Sequence, residues 1–113
     1  MHELGLAQET LDIVLATAKR EGAQRVVSIR LRIGDWSGVV PEAMQFALET
    51  IVEGTAAAGA QIELIRVPPA CRCAACDTRY EVSDYDYACP VCGAINYDVE
   101  QGKEMELLAL EVA

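Results

Sequence analysis

The chain has 113 residues, 18 of them acidic and 9 basic, for a formal charge of −9. That length allows one small domain, or a small domain carrying a lesser insert. The charge argues against general nucleic-acid binding, which needs basic surface to displace counterions. Apolar residues make up 52% and aromatic ones 5%, so a core is feasible, and no apolar run approaches the ~20 residues of a membrane span.

Met1-His2-Glu3 opens the chain, and His2 is its single histidine. The α-amine of Met1, the backbone nitrogen of His2 and its imidazole can close adjacent chelate rings on one metal. Such a nitrogen-rich set suits Ni(II) or Cu(II) better than Zn(II). A bulky second residue favours retention of the initiator Met, and Glu3 could add an oxygen or support the site from outside. Taken alone, though, a penultimate His reads more readily as an exposed residue near a frayed end than as a ligand.

From Glu3 to Glu21 the apolar positions Leu4, Ala7, Leu11, Val14, Leu15 and Ala18 recur three and four apart, which predicts an amphipathic helix. Glu3, Glu9 and Asp12 lie early and Lys19 and Arg20 late, matching the helix dipole, and Gly22 is a natural stop. From Gln24 to Ile33 the period becomes two: Val27, Ile29, Leu31 and Ile33 alternate with Ser28, Arg30 and Arg32, a strand with one buried face. The arginines read as a solvated face, with an acidic docking partner as the minority alternative. Trp36, in the turn-rich Gly34–Gly38 loop, reads as a packing anchor or a contact point.

Pro41 opens a second helix through Met44, Ala47, Leu48 and Ile51 to about Glu53. Gln61 to Val67 reads as a second strand, stopped by Pro68-Pro69. Residues 70–102 then form an insert. Tyr80–Val82 and Ile95–Tyr97 are expected to pair as short strands, joined by a loop holding Asp84, Tyr85, Asp86 and Tyr87. After Gly102-Lys103, Met105 to Val112 returns to strand character with Leu108, Leu110 and Val112 on one face.

The insert carries Cys73-x-x-Cys76, twelve residues, then Cys89-Pro90-x-Cys92-Gly93. Two such pairs on tight turns can aim four thiolates at one tetrahedral centre, the ligand set of structural zinc. Gly93 supplies a permissive turn and Pro90 stiffens it. Disulfides fit poorly without an oxidising compartment or a secretory signal, and a reducing cytoplasm is the expected setting. A rubredoxin-like iron site usually has a longer separation between pairs, and a redox pair would explain only half the cysteines. Cys71 is left over, either a spectator or a ligand exchanging with Cys73.

Taken together, Met1-His2-Glu3, helix–strand–helix–strand, the double Cys-x-x-Cys insert and a final strand resemble the HypA/HybF nickel metallochaperones over the whole chain. The resemblance implies an α+β fold: a small mixed three-stranded sheet with two helices (1–69 and 103–113), plus an inserted four-cysteine zinc-ribbon domain (70–102). It implies a non-enzyme that binds Ni(II) through Met1, His2 and Glu3, and structural Zn(II) through Cys73, Cys76, Cys89 and Cys92. Its expected partners are a HypB-type GTPase and the NiFe-hydrogenase large-subunit precursor, with a homodimer left open. Against the family pattern, Gly5 stands where serine is common. Val39-Val40-Pro41-Glu42 leaves Glu42 as the nearest acid at the start of the second helix. No histidine flanks the knuckles, which favours hydrogenase over urease. The rival reading is a zinc-ribbon interaction module without metal delivery.

Overall fold

A computed structural model describes residues 2–113. Helix α1 spans His2–Arg20 and buries Ala7, Leu11, Val14 and Ala18, the stripe that its three-and-four spacing dictates. Leu4, at the head of that stripe, is half exposed. Strand β1, Val26–Gly34, is followed by α2, Pro41–Ile51, and by β2, Gln61–Val67. β1 and β2 run parallel, joined by α2 as the crossover, and β6, Met105–Val112, lies antiparallel on the other side of β1. The order is therefore β2-β1-β6. β1 takes the centre because Ile29, Leu31 and Ile33 are buried under the helices.

Two register shifts along the β1–β6 pair change which residues face the core. The first lies between Val26 and Ser28. It places Val26 in the core and leaves Val27 half-buried, where strict alternation assigned that place to Val27. The second lies between Arg30 and Leu31, and beyond it Leu107 packs on the core while Leu108 is 47% exposed. Leu108 thus does not share a face with Leu110 and Val112, because one extra residue flips every side chain beyond it. On the open face Arg30 pairs with Glu63 at 2.9 Å and Arg32 with Glu106 at 3.2 Å. These arginines are neutralised across the sheet, which supports the solvated-face reading.

A second sheet is antiparallel, ordered β4-β3-β5, from β3 Ala70–Arg72, β4 Arg79–Glu81 and β5 Val99–Gln101. The expected pairing of Tyr80–Val82 with Ile95–Tyr97 is not what forms. β4 pairs with β3, and Ile95 makes only an isolated bridge to Ala88. The residues around Asn96 are drawn instead to the knuckles. The radius of gyration is 17.5 Å, against ~13 Å for a compact chain of this length, so the second sheet extends the molecule.

The two sheets meet where three strands of backbone cross. Asp35 N–H donates to Val67 O (2.9 Å), Trp36 N–H to Gly102 O (2.7 Å) and Gly34 N–H to Glu104 O (2.7 Å). Gly102 has φ +118°, and a Cβ there would stand 2.7 Å from Pro69 Cα; a Cβ on Gly34 would stand 2.1 Å from Gly102 O. Only bare backbone fits at that approach. Gly34→Ala should lower stability by about 3 kcal/mol and the unfolding midpoint by roughly 10 °C in calorimetry. An unchanged midpoint would show that the crossing yields easily.

Candidate metal sites

Cys73 and Cys76 lie on the turn between β3 and β4, and Cys89 and Cys92 on a second turn. The turns share one backbone pattern. Asp77 N–H donates to Cys73 O and Gly93 N–H to Cys89 O, both at 2.8 Å, and the N–H groups of Cys73 and Cys89 donate to Thr78 O and Ala94 O. In each turn the residue after the second cysteine is left-handed, Asp77 at φ 64° and Gly93 at φ 81°. Gly93 was legible as a turn residue. Asp77 was not, although Asp is among the few non-glycine residues that visit this region.

The four Sγ atoms lie within 4.8 Å of one another, with Cys73–Cys92 at 3.5 Å and Cys76–Cys89 at 3.6 Å. A tetrahedron with metal–sulfur bonds of ~2.3 Å has edges of ~3.8 Å, so the donor set fits Zn(II). The electrostatics agree. Peptide N–H groups of Cys76 and Ala75 and the Asn96 amide hold the Cys73 thiol down at about 6. At Cys92 the Ala94 N–H lowers the pKa, but the Cys73 and Cys76 sulfurs, burial and Cys89 together push it up to about 12. Four sulfurs this close cannot all ionise without a counter-charge, and a divalent cation supplies one.

Asn96 is the residue that motif reasoning missed. Its Oδ1 accepts Ala74 N–H (3.0 Å), its Nδ2 donates to Tyr80 Oη (3.2 Å), and its carbonyl accepts the Cys71 thiol (3.8 Å). It ties the first knuckle to the small core of Cys71, Tyr80 and Val82, where the Tyr80 hydroxyl donates to Tyr87 O. No spacing rule singles out an asparagine here. Cys71 is fully buried, outside the four-sulfur group, and burial raises its pKa. It is a core side chain.

At the other end of the molecule, His2 begins α1, its side chain 56% exposed. Glu3 is buried. Its Oε2 accepts Val40 N–H at 3.2 Å and stands 3.3 Å from His2 Nε2. The Val40 N–H, then Glu3's own N–H, hold this carboxyl below its usual range against the opposing cost of burial. Val40 is the residue ahead of α2, so Glu3 ties the two helices together. Met1 lies outside the described residues. Glu42 is exposed on the first turn of α2 and is not brought to His2 or Glu3 by any described contact.

These features define a class: a two-helix α+β body joined to a small ribbon whose four thiols can hold a metal ion. The family model for hydrogenase/urease nickel incorporation, the metallochaperone HypA, matches residues 1–112. Hydrogenase maturation factor HypA of Picosynechococcus sp. is 44% identical over 112 residues, 99% of each chain. That of Dechloromonas aromatica is 39% identical with the same coverage. The chain belongs to the HypA family of hydrogenase maturation factors, which are metallochaperones rather than enzymes. Among solved structures, one described as HypA protein superposes with a TM-score of 0.74 at 25% identity, covering 100% of this chain and 97% of the other. The nickel metallochaperone HypA of Helicobacter pylori gives 0.66 at 24% identity, covering 97% and 96%, a likeness of fold. No described helix is long and apolar enough to cross a membrane.

Proposed function

We propose that the chain accepts Ni(II) at Met1, His2 and Glu3 and delivers it to the NiFe-hydrogenase large-subunit precursor, working in a reducing cytoplasm beside a HypB-type GTPase. Cys73, Cys76, Cys89 and Cys92 hold Zn(II), which closes residues 70–102 into a folding unit apart from 1–69 and 103–113. The observation that carries the nickel reading is the Glu3 clasp. A buried carboxylate fastened to Val40 N–H stands beside His2 Nε2, so the imidazole sits on a folded helix pair rather than on a loose tail.

The chelate chemistry uses the atoms that remain. The first four N–H groups of a helix have no intrahelical acceptor, so the backbone nitrogen of His2 costs the helix nothing when it turns to a metal. With the Met1 amine it closes a five-membered ring. Imidazole Nδ1 closes a six-membered ring on the other side, leaving Nε2 for Glu3, the outer partner that orients a ligand histidine. A site at a chain end is simpler to dismantle than a closed cage, which suits cargo. Ni(II) titration of untagged protein followed by absorption spectroscopy tests this. The parent chain should take up about one Ni(II) with a nitrogen-rich spectrum, and His2→Ala should lose it while keeping its zinc. Equal uptake by both would leave a ribbon protein that carries no nickel here.

A further inference from the structure

The chain's aromatic residues are unevenly placed. It has 4 Tyr, 1 Trp and 1 Phe, and four of these six rings stand in one row at the junction of the two sheets. Tyr85 stacks on Trp36 with centroids 6.0 Å apart and 10° between planes. Trp36 meets Tyr87 at 5.7 Å, and Tyr87 meets Tyr97 at 5.0 Å, both tilted by 48°. The inner two rings, Trp36 and Tyr87, pack on the small cysteine-lined core. The outer two do not: Tyr85 is 76% exposed and Tyr97 73%. A row built only for packing would bury its ends. Tyr85 is also held out by a turn in which Asp84 (φ 52°) and Tyr85 itself (φ 60°) are both left-handed, an unfavourable backbone for two consecutive non-glycine residues.

The chain segment that bears Tyr85, Tyr87 and Tyr97 carries one sign of charge. From Tyr80 to Gly102 there is no lysine or arginine, while Glu81, Asp84, Asp86, Asp98 and Glu100 are acidic. Glu100 is satisfied by Arg72 and Arg79. Asp84, Asp86 and Asp98, which flank Tyr85 and Tyr97 in the chain, are all exposed, and no cation among the described residues pairs with them. Asp86 spends one oxygen on Ala88 N–H. Exposed aromatic faces beside unpaired carboxylates match the guanidinium group, whose plane stacks on a ring while its edge donates to a carboxylate. The rings stand 5.0–6.0 Å apart, close to the ~6.6 Å between alternate side chains of an extended chain.

We propose that the Tyr85–Trp36–Tyr87–Tyr97 row, with Asp84, Asp86 and Asp98 beside it, is a docking surface for an extended, arginine-bearing segment of a partner protein. This stands apart from the nickel reading, since none of its residues belongs to the N-terminal site. Trp36 is the single tryptophan, so its fluorescence reports occupancy directly. The test titrates the zinc-loaded full chain with a blocked hexapeptide alternating glycine and arginine, and with lysine and glutamate versions of it.

The arginine peptide should bind saturably, more tightly than the lysine peptide, and more weakly as salt is raised. The glutamate peptide should not bind. Tyr85→Ala with Tyr97→Ala should weaken arginine-peptide binding about tenfold, as loss of two stacked cations implies, and Asp84→Asn with Asp98→Asn should weaken it severalfold. Calorimetric titration gives the same constants where the aromatic variant changes the fluorescence baseline. All four positions are exposed, and zinc content checks that the variants fold. No saturable binding, equal binding of the arginine peptide with either other peptide, or affinity unchanged by either double variant overturns the proposal.

Discussion

Cys76→Ser, dialysed with the parent protein against a competing metal chelator, should empty the four-cysteine site and unfold the ribbon while the two-helix sheet stays intact. The ribbon's strands are three residues each. Its buried core is Cys71, Cys73, Tyr80, Val82 and Cys89, so three of its five members are cysteines and two of those would ligate the metal. So small a core cannot offset the entropy of ordering some thirty residues. In modules of this kind the apparent metal affinity, of order 10–16 kcal/mol, is the folding energy. Removing one of four ligands forfeits roughly a quarter of that, about 3 kcal/mol, or more than a hundredfold in affinity. The parent protein should hold about one zinc per chain and the variant much less by elemental analysis. Amide resonances from residues 70–102 should collapse toward random-coil positions, while those of α1, β1, α2, β2 and β6 persist. Trp36 should report the same event, because its partners Tyr85 and Tyr87 lie in the part that unfolds. Unchanged zinc content would overturn the four-thiolate assignment. Collapse of the whole spectrum would show that the backbone crossing at Gly34 and Gly102 makes one cooperative unit of both sheets.

Extending the chain by two residues ahead of Met1 should abolish tight nickel binding without touching the fold. A free α-amine titrates near pH 8, so it gives up its proton to a metal at neutral pH and anchors the two rings that follow. An amide in its place is a far poorer donor, and the His2 nitrogen then has no anchor from which to be deprotonated. The loss should exceed the roughly 10–100-fold that removal of an outer-shell partner costs. Zinc content and the unfolding midpoint should match the unextended protein, because the added residues sit beyond His2, which is exposed at the start of α1. Extended and native chains that take up nickel alike would exclude the terminal chelate.

Much of this was legible in the order of residues, because its signals are local. The two helices follow from apolar residues three and four apart. β2 and β6 fall at Gln61–Val67 and Met105–Val112 as their turn residues and prolines require. The two Cys-x-x-Cys pairs suffice for a cluster, since each knuckle is closed by hydrogen bonds spanning only four or five residues. What only the tertiary structure decided depends on contacts between distant segments. The shifts that put Val26 and Leu107 in the core, and Leu108 outside it, arise from the fit of β6 to β1 across more than seventy residues. Pairing of β4 with β3, and the use of Asn96 as a strut rather than as part of a strand, come from the demand of the knuckles for donors and acceptors. The joining of Glu3 to Val40, and of Trp36 to Tyr85 and Tyr87, are long-range matches that leave no periodic trace. Sequence by itself determined that Cys73, Cys76, Cys89 and Cys92 gather into a group able to hold a metal ion, because ligand chemistry resides in single side chains and short spacings. The tertiary structure decided what holds those residues in place, because support comes from whatever the chain folds against them.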